Sequence, residues 1–217
     1  MHIENNKEEV PFSYYAEAFA KADPAEISAR LNLPFENNAF RVTLLGKEYV
    51  IAHPTAEIVG ADDHIGPALP VQTFLLRYLL ESKRALWRGQ WKTFREMPWG
   101  EMYIKPYTGR VLTRAAFTFG TRVEKFRAAC EKLGAVSLPN GDVGFEFTLV
   151  GDFRLRILVW AGDEEFPPNA QVIYTDNFAE GFAAEDRVVA GDILISHIKA
   201  AMEYRCGFFD FAALRSE

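Results

Sequence analysis

Residues 143–160 read VGFEFTLVGDFRLRILVW, and this alternation constrains the fold more than any other feature of the chain. Phe145, Phe147 and Leu149 alternate with polar residues, and so do Phe153, Leu155, Ile157 and Val159. That is the period of a strand with one buried face. Two such runs around Gly151 and Asp152 predict an antiparallel hairpin. A two-residue turn at Gly151-Asp152 would set Leu149 opposite Arg154 and mix the faces. A three-residue loop over 151–153 sets Leu149 opposite Leu155, Phe147 opposite Ile157 and Phe145 opposite Val159. The expectation is therefore an odd loop.

The other segments supply a second hairpin and helices to cover it. Residues 40–52 (FRVTLLGKEYVIA) read as a hairpin turning at Gly46-Lys47, with Leu44 opposite Tyr49, Val42 opposite Ile51 and Phe40 opposite His53. Residues 12–22 are helix-like. Asp23-Pro24 then caps a short helix to about Leu31, which stops before Pro34. Residues 69–82 are apolar nearly all round and predict a central helix. A short strand is expected at 91–94. A helix is expected over 103–118, with Pro106 in its first turn and Gly120 at its end. Another spans 121–133 and closes at Gly134. Residues 171–175 read as a strand and 184–203 as the last helix. With neither repeats nor a linker, the expectation is one α+β domain: an antiparallel sheet of hairpins packed against several helices, with residues 1–38 a helical arm on a core of 39–217.

The 217 residues carry a net charge of −6, which argues against general nucleic-acid binding. No apolar run approaches the ~20 residues of a membrane span. The start, MHIENNKEEVPF, lacks a basic segment followed by an apolar one, so a cytoplasmic protein is expected. Cys130 and Cys206 lie far apart without His or Cys at ligand spacing. They are read as free thiols, a single disulfide being the alternative, and they support no intrinsic iron–sulfur or zinc site.

Charge is distributed unevenly. Residues 83–127 hold eleven Lys or Arg against three acids, a balance of +8 that leaves −14 elsewhere. Residues 160–192 hold eight acids against Arg187 alone. Three of the four Trp fall within WRGQWKTFREMPWGEMYIKPYTGR, residues 87–110. In one reading the basic helices complement the acidic segment through weak surface pairs. In the other, Trp91, Arg95, Trp99, Tyr103, Arg110 and Arg114 line a groove for an anionic small molecule, with indoles for stacking and guanidinium forks for carboxylate or phosphate. Strand alternation puts Arg95 on the face of Trp91 if the strand runs one residue past 94. A metal alternative uses Asp163, Glu165, Asp176, Glu185 and Asp186 for a hard cation in an enzyme, although Glu185 and Asp186 also suit a helix N-terminus without any ligand. His53, Glu57, Asp62, Asp63 and His64 have ligand chemistry but no spacing that builds a site. Nucleophile-elbow, phosphate-loop, dinucleotide and zincin motifs are missing from the sequence. A third reading is a protein-interaction module that docks an acidic partner on the aromatic and basic surface.

The stretches FLLRYLLES, RGQWKTFREMPWGEMY, FTFG, LVWAGDEEFPPNAQVIYTD and AAEDRVVAGDIL, in that order, resemble a domain-of-unknown-function family of anaerobic bacteria and archaea. The matching positions are Gly89, Trp91, Thr93, Phe94, Pro98, Gly100 and Tyr103, then Gly120, then Trp160, Asp163, Glu164, Glu165 and Phe166, then Asp176, Glu185 and Asp186. Some members look like fusions to an iron–sulfur-cluster domain. This chain lacks that cysteine-rich module, so the resemblance implies an accessory protein in anaerobic cofactor or one-carbon metabolism, with any cluster on a cofactor-bearing protein partner.

Overall fold

The computed structural model describes residues 7–203. They fall into two compact units that divide in sequence between Arg84 and Ala85. Both are α+β with antiparallel strands, the class the alternation predicts.

The first unit runs α1 (Glu9–Lys21), α2 (Pro24–Leu31), β1 (Phe35–Glu36), β2 (Ala39–Leu44), β3 (Lys47–Ala52), β4 (Ile58–Gly60) and α3 (Leu69–Glu81). Asp23 caps α2 as expected, accepting from the Ala25 amide at 2.8 Å. Arg30 reaches from α2 to the carbonyls of Leu79 and Ser82, supplying donors to the C-terminal end of α3. Phe40, Val42, Leu44, Tyr49 and Ile51 are all buried, and Phe40 packs near Phe19 of α1, their rings 6.2 Å apart.

The turn between β2 and β3 corrects the expectation. It falls on Leu45-Gly46, so Leu44 faces Lys47, Val42 faces Tyr49 and Phe40 faces Ile51. Both turn residues have positive φ, 47° at Leu45 and 83° at Gly46, as a two-residue hairpin that follows the strand twist requires. The partners move by two residues, an even number, so the same side chains stay on the buried face.

The second unit begins with β5 (Trp91–Thr93), which leads into a 3₁₀ turn, Phe94–Glu96. One winding helical stretch follows: α4 (Gly100–Tyr107), a π-helical segment (Thr108–Thr113) and α5 (Arg114–Phe119). This helix starts earlier than expected, and Pro106 lies inside α4 rather than in its first turn. After α6 (Val123–Lys132) come β6 (Val136–Leu138), β7 (Val143–Val150), β8 (Phe153–Trp160), β9 (Asn169–Thr175), α7 (Phe178–Gly181) and α8 (Ala184–Glu203). These strands pair antiparallel in the order β6-β7-β8-β9-β5.

The β7–β8 hairpin resolves the parity problem by a different device. The turn is the two-residue Gly151-Asp152, with Val150 opposite Phe153, and a bulge between Thr148 and Val150 absorbs the odd residue. Phe147 then faces Leu155, Phe145 faces Ile157 and Val143 faces Val159, so apolar still meets apolar. The apolar face is wholly buried, and α5 with the π-helical segment packs on it. The opposite face carries Glu146, Arg154, Arg156, Gln171 and Ile173, each half-buried. Among the described residues no helix is long and apolar enough to cross a membrane.

Candidate functional site

The basic segment does not gather as one group. Arg110 donates to Glu185 (3.2 Å) and Asp192 (3.3 Å), and Arg114 donates to Asp192 and to the Ser196 hydroxyl (3.0 Å). These two arginines therefore meet, but on acids of α8, which is the complementation the charge balance allowed. β5 ends at Thr93, so strand alternation does not carry Arg95 to the face of Trp91; Arg95 instead pairs with Glu101 at 3.3 Å. Trp99 and Tyr103 point outward, Trp99 being 68% exposed, and the Trp99 backbone is left-handed at φ 63°. That conformation costs a non-glycine residue about 1 kcal/mol.

Trp91 has other partners. Its position in β5 pairs with Thr175 of β9, whose hydroxyl accepts from the Arg154 amide at 3.1 Å. Trp91, Thr175 and Arg154 thus form one row on the polar face. Thr93, Ile173, Arg156 and Glu146 form the next. The Arg156 guanidinium lies 3.8 Å from the centre of the Trp91 ring. Arg154 lies 5.2 Å from Trp87, and the two indoles meet edge to face at 5.5 Å. Glu146 accepts from both cations, 3.3 Å from Arg154 and 2.9 Å from Arg156. Two guanidiniums share one carboxylate, so this part of the face keeps a net positive charge. Stacking on the indole fixes the plane of Arg156 before anything binds.

Behind the sheet lies a second cluster, and it is structural. Phe94 stacks on Tyr107 at 4.1 Å and 7° between planes. Arg187, only 1% exposed, lies 5.6 Å from the Phe94 ring and donates to the Pro98 carbonyl. The hydroxyl of Tyr174 donates to the Arg187 carbonyl, and that of Tyr107 to the Val172 carbonyl, both at 3.0 Å. Burial raises the pKa of both phenols and lowers that of the guanidinium. Gly100 closes this turn: a side-chain carbon there would sit 2.2 Å from the Phe94 carbonyl oxygen. Thr93 and Glu96 form a capping box, and those hydrogen bonds hold the Glu96 carboxyl below its ordinary range. So Thr93, Phe94, Pro98 and Gly100, all matching positions, build the turn that receives Arg187.

The acidic candidates are dispersed among local tasks. Asp163 accepts from the amides of Glu165 and Phe166 in its own loop, which lowers its pKa. Asp176 accepts from the Arg88 amide, Glu185 pairs with Arg110, and Asp186 is buried. Glu165 is exposed. Among the described residues no three His, Cys, Asp or Glu side chains gather closely enough to hold a metal ion. Asp63 pairs with Lys47 at 2.6 Å. Cys130 is buried and free, its thiol pKa pushed up by burial; Cys206 lies outside the described residues.

Trp87, Arg154, Arg156 and Glu146 were not among the candidates. Their signal was present: RLR within FRLRIL puts two arginines two apart on the polar side of a strand. What the sequence does not show is that β9 lies between them and Trp91.

Compared with known families, residues 23–197 match the model described as Domain of unknown function (DUF3786). No curated protein and no solved structure matches the chain.

Proposed function

The chain belongs to the DUF3786 family of domains of unknown function, and from that premise we propose that it binds a planar anionic small molecule on the polar face of the β5–β9–β8–β7 strands. The observation that supports this reading is the pairing of Arg156 with the Trp91 ring at 3.8 Å beside Arg154 and Trp87. Trp87 and Trp91 offer aromatic surface for stacking, while Arg154, with 43% of its side chain exposed, and Arg156 present N–H groups to a carboxylate or phosphate. Half-buried Gln171 adds a polar group on the same face. Anion recognition thereby passes from Arg110 and Arg114, which α8 neutralises, to the arginines of β8. In the finer form of this reading the protein is an accessory in anaerobic cofactor or one-carbon chemistry, and the bound group is a cofactor or its precursor, free or on a partner.

Calorimetric titration with benzoate, a nucleoside monophosphate and inorganic phosphate tests the reading. An aromatic anion is expected to bind, inorganic phosphate to bind far more weakly, and Arg156→Gln to lose about tenfold, the size of one charge-assisted contact. Equal binding by wild type and Arg156→Gln, or heat from none of the three, would overturn it.

A further inference from the structure

A groove of about 450 Å³ runs between α6 and α8 in the second unit. Its rim is basic: Arg122, Lys125 and Lys132 are all exposed along it. These positions fall on one side of α6 at helical spacing, and Ala128 and Ala129 lie between them. The far wall is Ala201 and Met202 of α8. Acids nearby are already engaged: Glu203, at the end of the groove, pairs with Lys199 at 3.6 Å, and Glu124 pairs with Arg127 at 3.5 Å. Arg122 bends part of its guanidinium back to the Thr118 carbonyl at 3.1 Å, which fixes the head in place.

The spacing restricts what fits. Arg122 and Lys132 are ten residues apart, about 15 Å along a helix at 1.5 Å per residue. A single phosphate or a small dianion cannot reach both ends. An acidic helix can, because its carboxylates repeat on one face at the same rise. The floor selects further. Alanines let a second backbone come close, and Met202 adapts its shape to apolar side chains. A nucleic-acid backbone has no use for such a floor. We infer that the α6–α8 groove docks an acidic amphipathic helix of a partner protein, with carboxylates on Arg122, Lys125 and Lys132 and small apolar residues against Ala128, Ala201 and Met202.

The probe is a synthetic helical peptide with glutamates three and four residues apart on one face and alanine and leucine beside them. Binding is read by fluorescence anisotropy, and the fold of each variant is confirmed by thermal melting. The peptide is expected to bind wild type with strong salt dependence and to weaken at least about tenfold on Lys125→Glu/Lys132→Glu. Ala128→Trp, which fills the floor and leaves the charge unchanged, is expected to weaken it similarly, and Arg156→Gln on the remote sheet face to leave it unchanged. Failure of the peptide to bind, indifference to either groove variant, equal binding of a peptide with the same composition in scrambled order, or displacement by a single-stranded oligonucleotide at lower concentration would each overturn the proposal.

Discussion

Arg187 carries more structure than its place in the sequence announces. There it is the lone cation among eight acids of residues 160–192, and the charge count gives it no further part. In the fold it is buried, 5.6 Å from Phe94 and bonded to Pro98. Removing it leaves that carbonyl without its donor and opens a void, so Arg187→Ala is expected to cost about 3 kcal/mol, read as a lowered urea midpoint. Gly100→Ala forces a carbon against the Phe94 carbonyl and is expected to cost about 1–3 kcal/mol in the same assay. Glu96 gives a pH test. Its carboxyl is held below its ordinary range by Thr93, so the capping box contributes stability that is present above the unfolded-state pKa and lost as pH falls through the folded one. Thr93→Val is expected to move the Glu96 titration, followed by NMR, back toward ordinary carboxylate values. No change would show that Thr93 does not set it.

At the scale of elements, both hairpins were legible as hairpins, with the right residues on their buried faces. Both turns were misplaced for one physical reason. Face assignment depends on whether a shift in strand pairing is odd or even, not on its size, so the hydrophobic pattern cannot separate registers two residues apart. In β2–β3 the turn chemistry pointed to Gly46, but the structure also places Leu45 at φ 47°, a conformation few would assign to leucine. Leu45→Asn is therefore expected to stabilise the protein by about 0.5–1 kcal/mol, because asparagine tolerates that conformation; a lower melting temperature would contradict this. In β7–β8 the conflict between a favoured two-residue turn and mixed faces was real, and the bulge at Leu149 resolves it. The helix was legible from 103 to 118, with Gly109 as its weak point; its start at Gly100, with Pro106 inside α4, and the π-helical form of the segment around Gly109 were not.

For the molecule as a whole, the charge asymmetry in the sequence had two possible meanings, and the fold divides it between them. Part of the basic segment does complement the acids, through Arg110 and Arg114 on α8. The indole cluster is separate: Trp87 and Trp91 stack with arginines from β8, more than sixty residues on, which only the strand order brings together. The candidate site was thus half legible. Its aromatic half is a run in sequence, and its cationic half needs the topology. Four indoles distributed over distinct surroundings make the reading measurable at once. Trp87 and Trp91 lie beside Arg154 and Arg156, whereas Trp99 stands exposed at the start of α4, and Trp160, on the same face of β8, is half-buried four residues beyond Arg156, about 13 Å along the strand. The direct measurement is a two-dimensional ¹H–¹⁵N spectrum of the indole N–H signals during titration with an aromatic carboxylate. The account predicts that Trp87 and Trp91 shift together and saturably while Trp99 and Trp160 stay in place. Movement of Trp99 or Trp160 alone, or of none of the four, would contradict it.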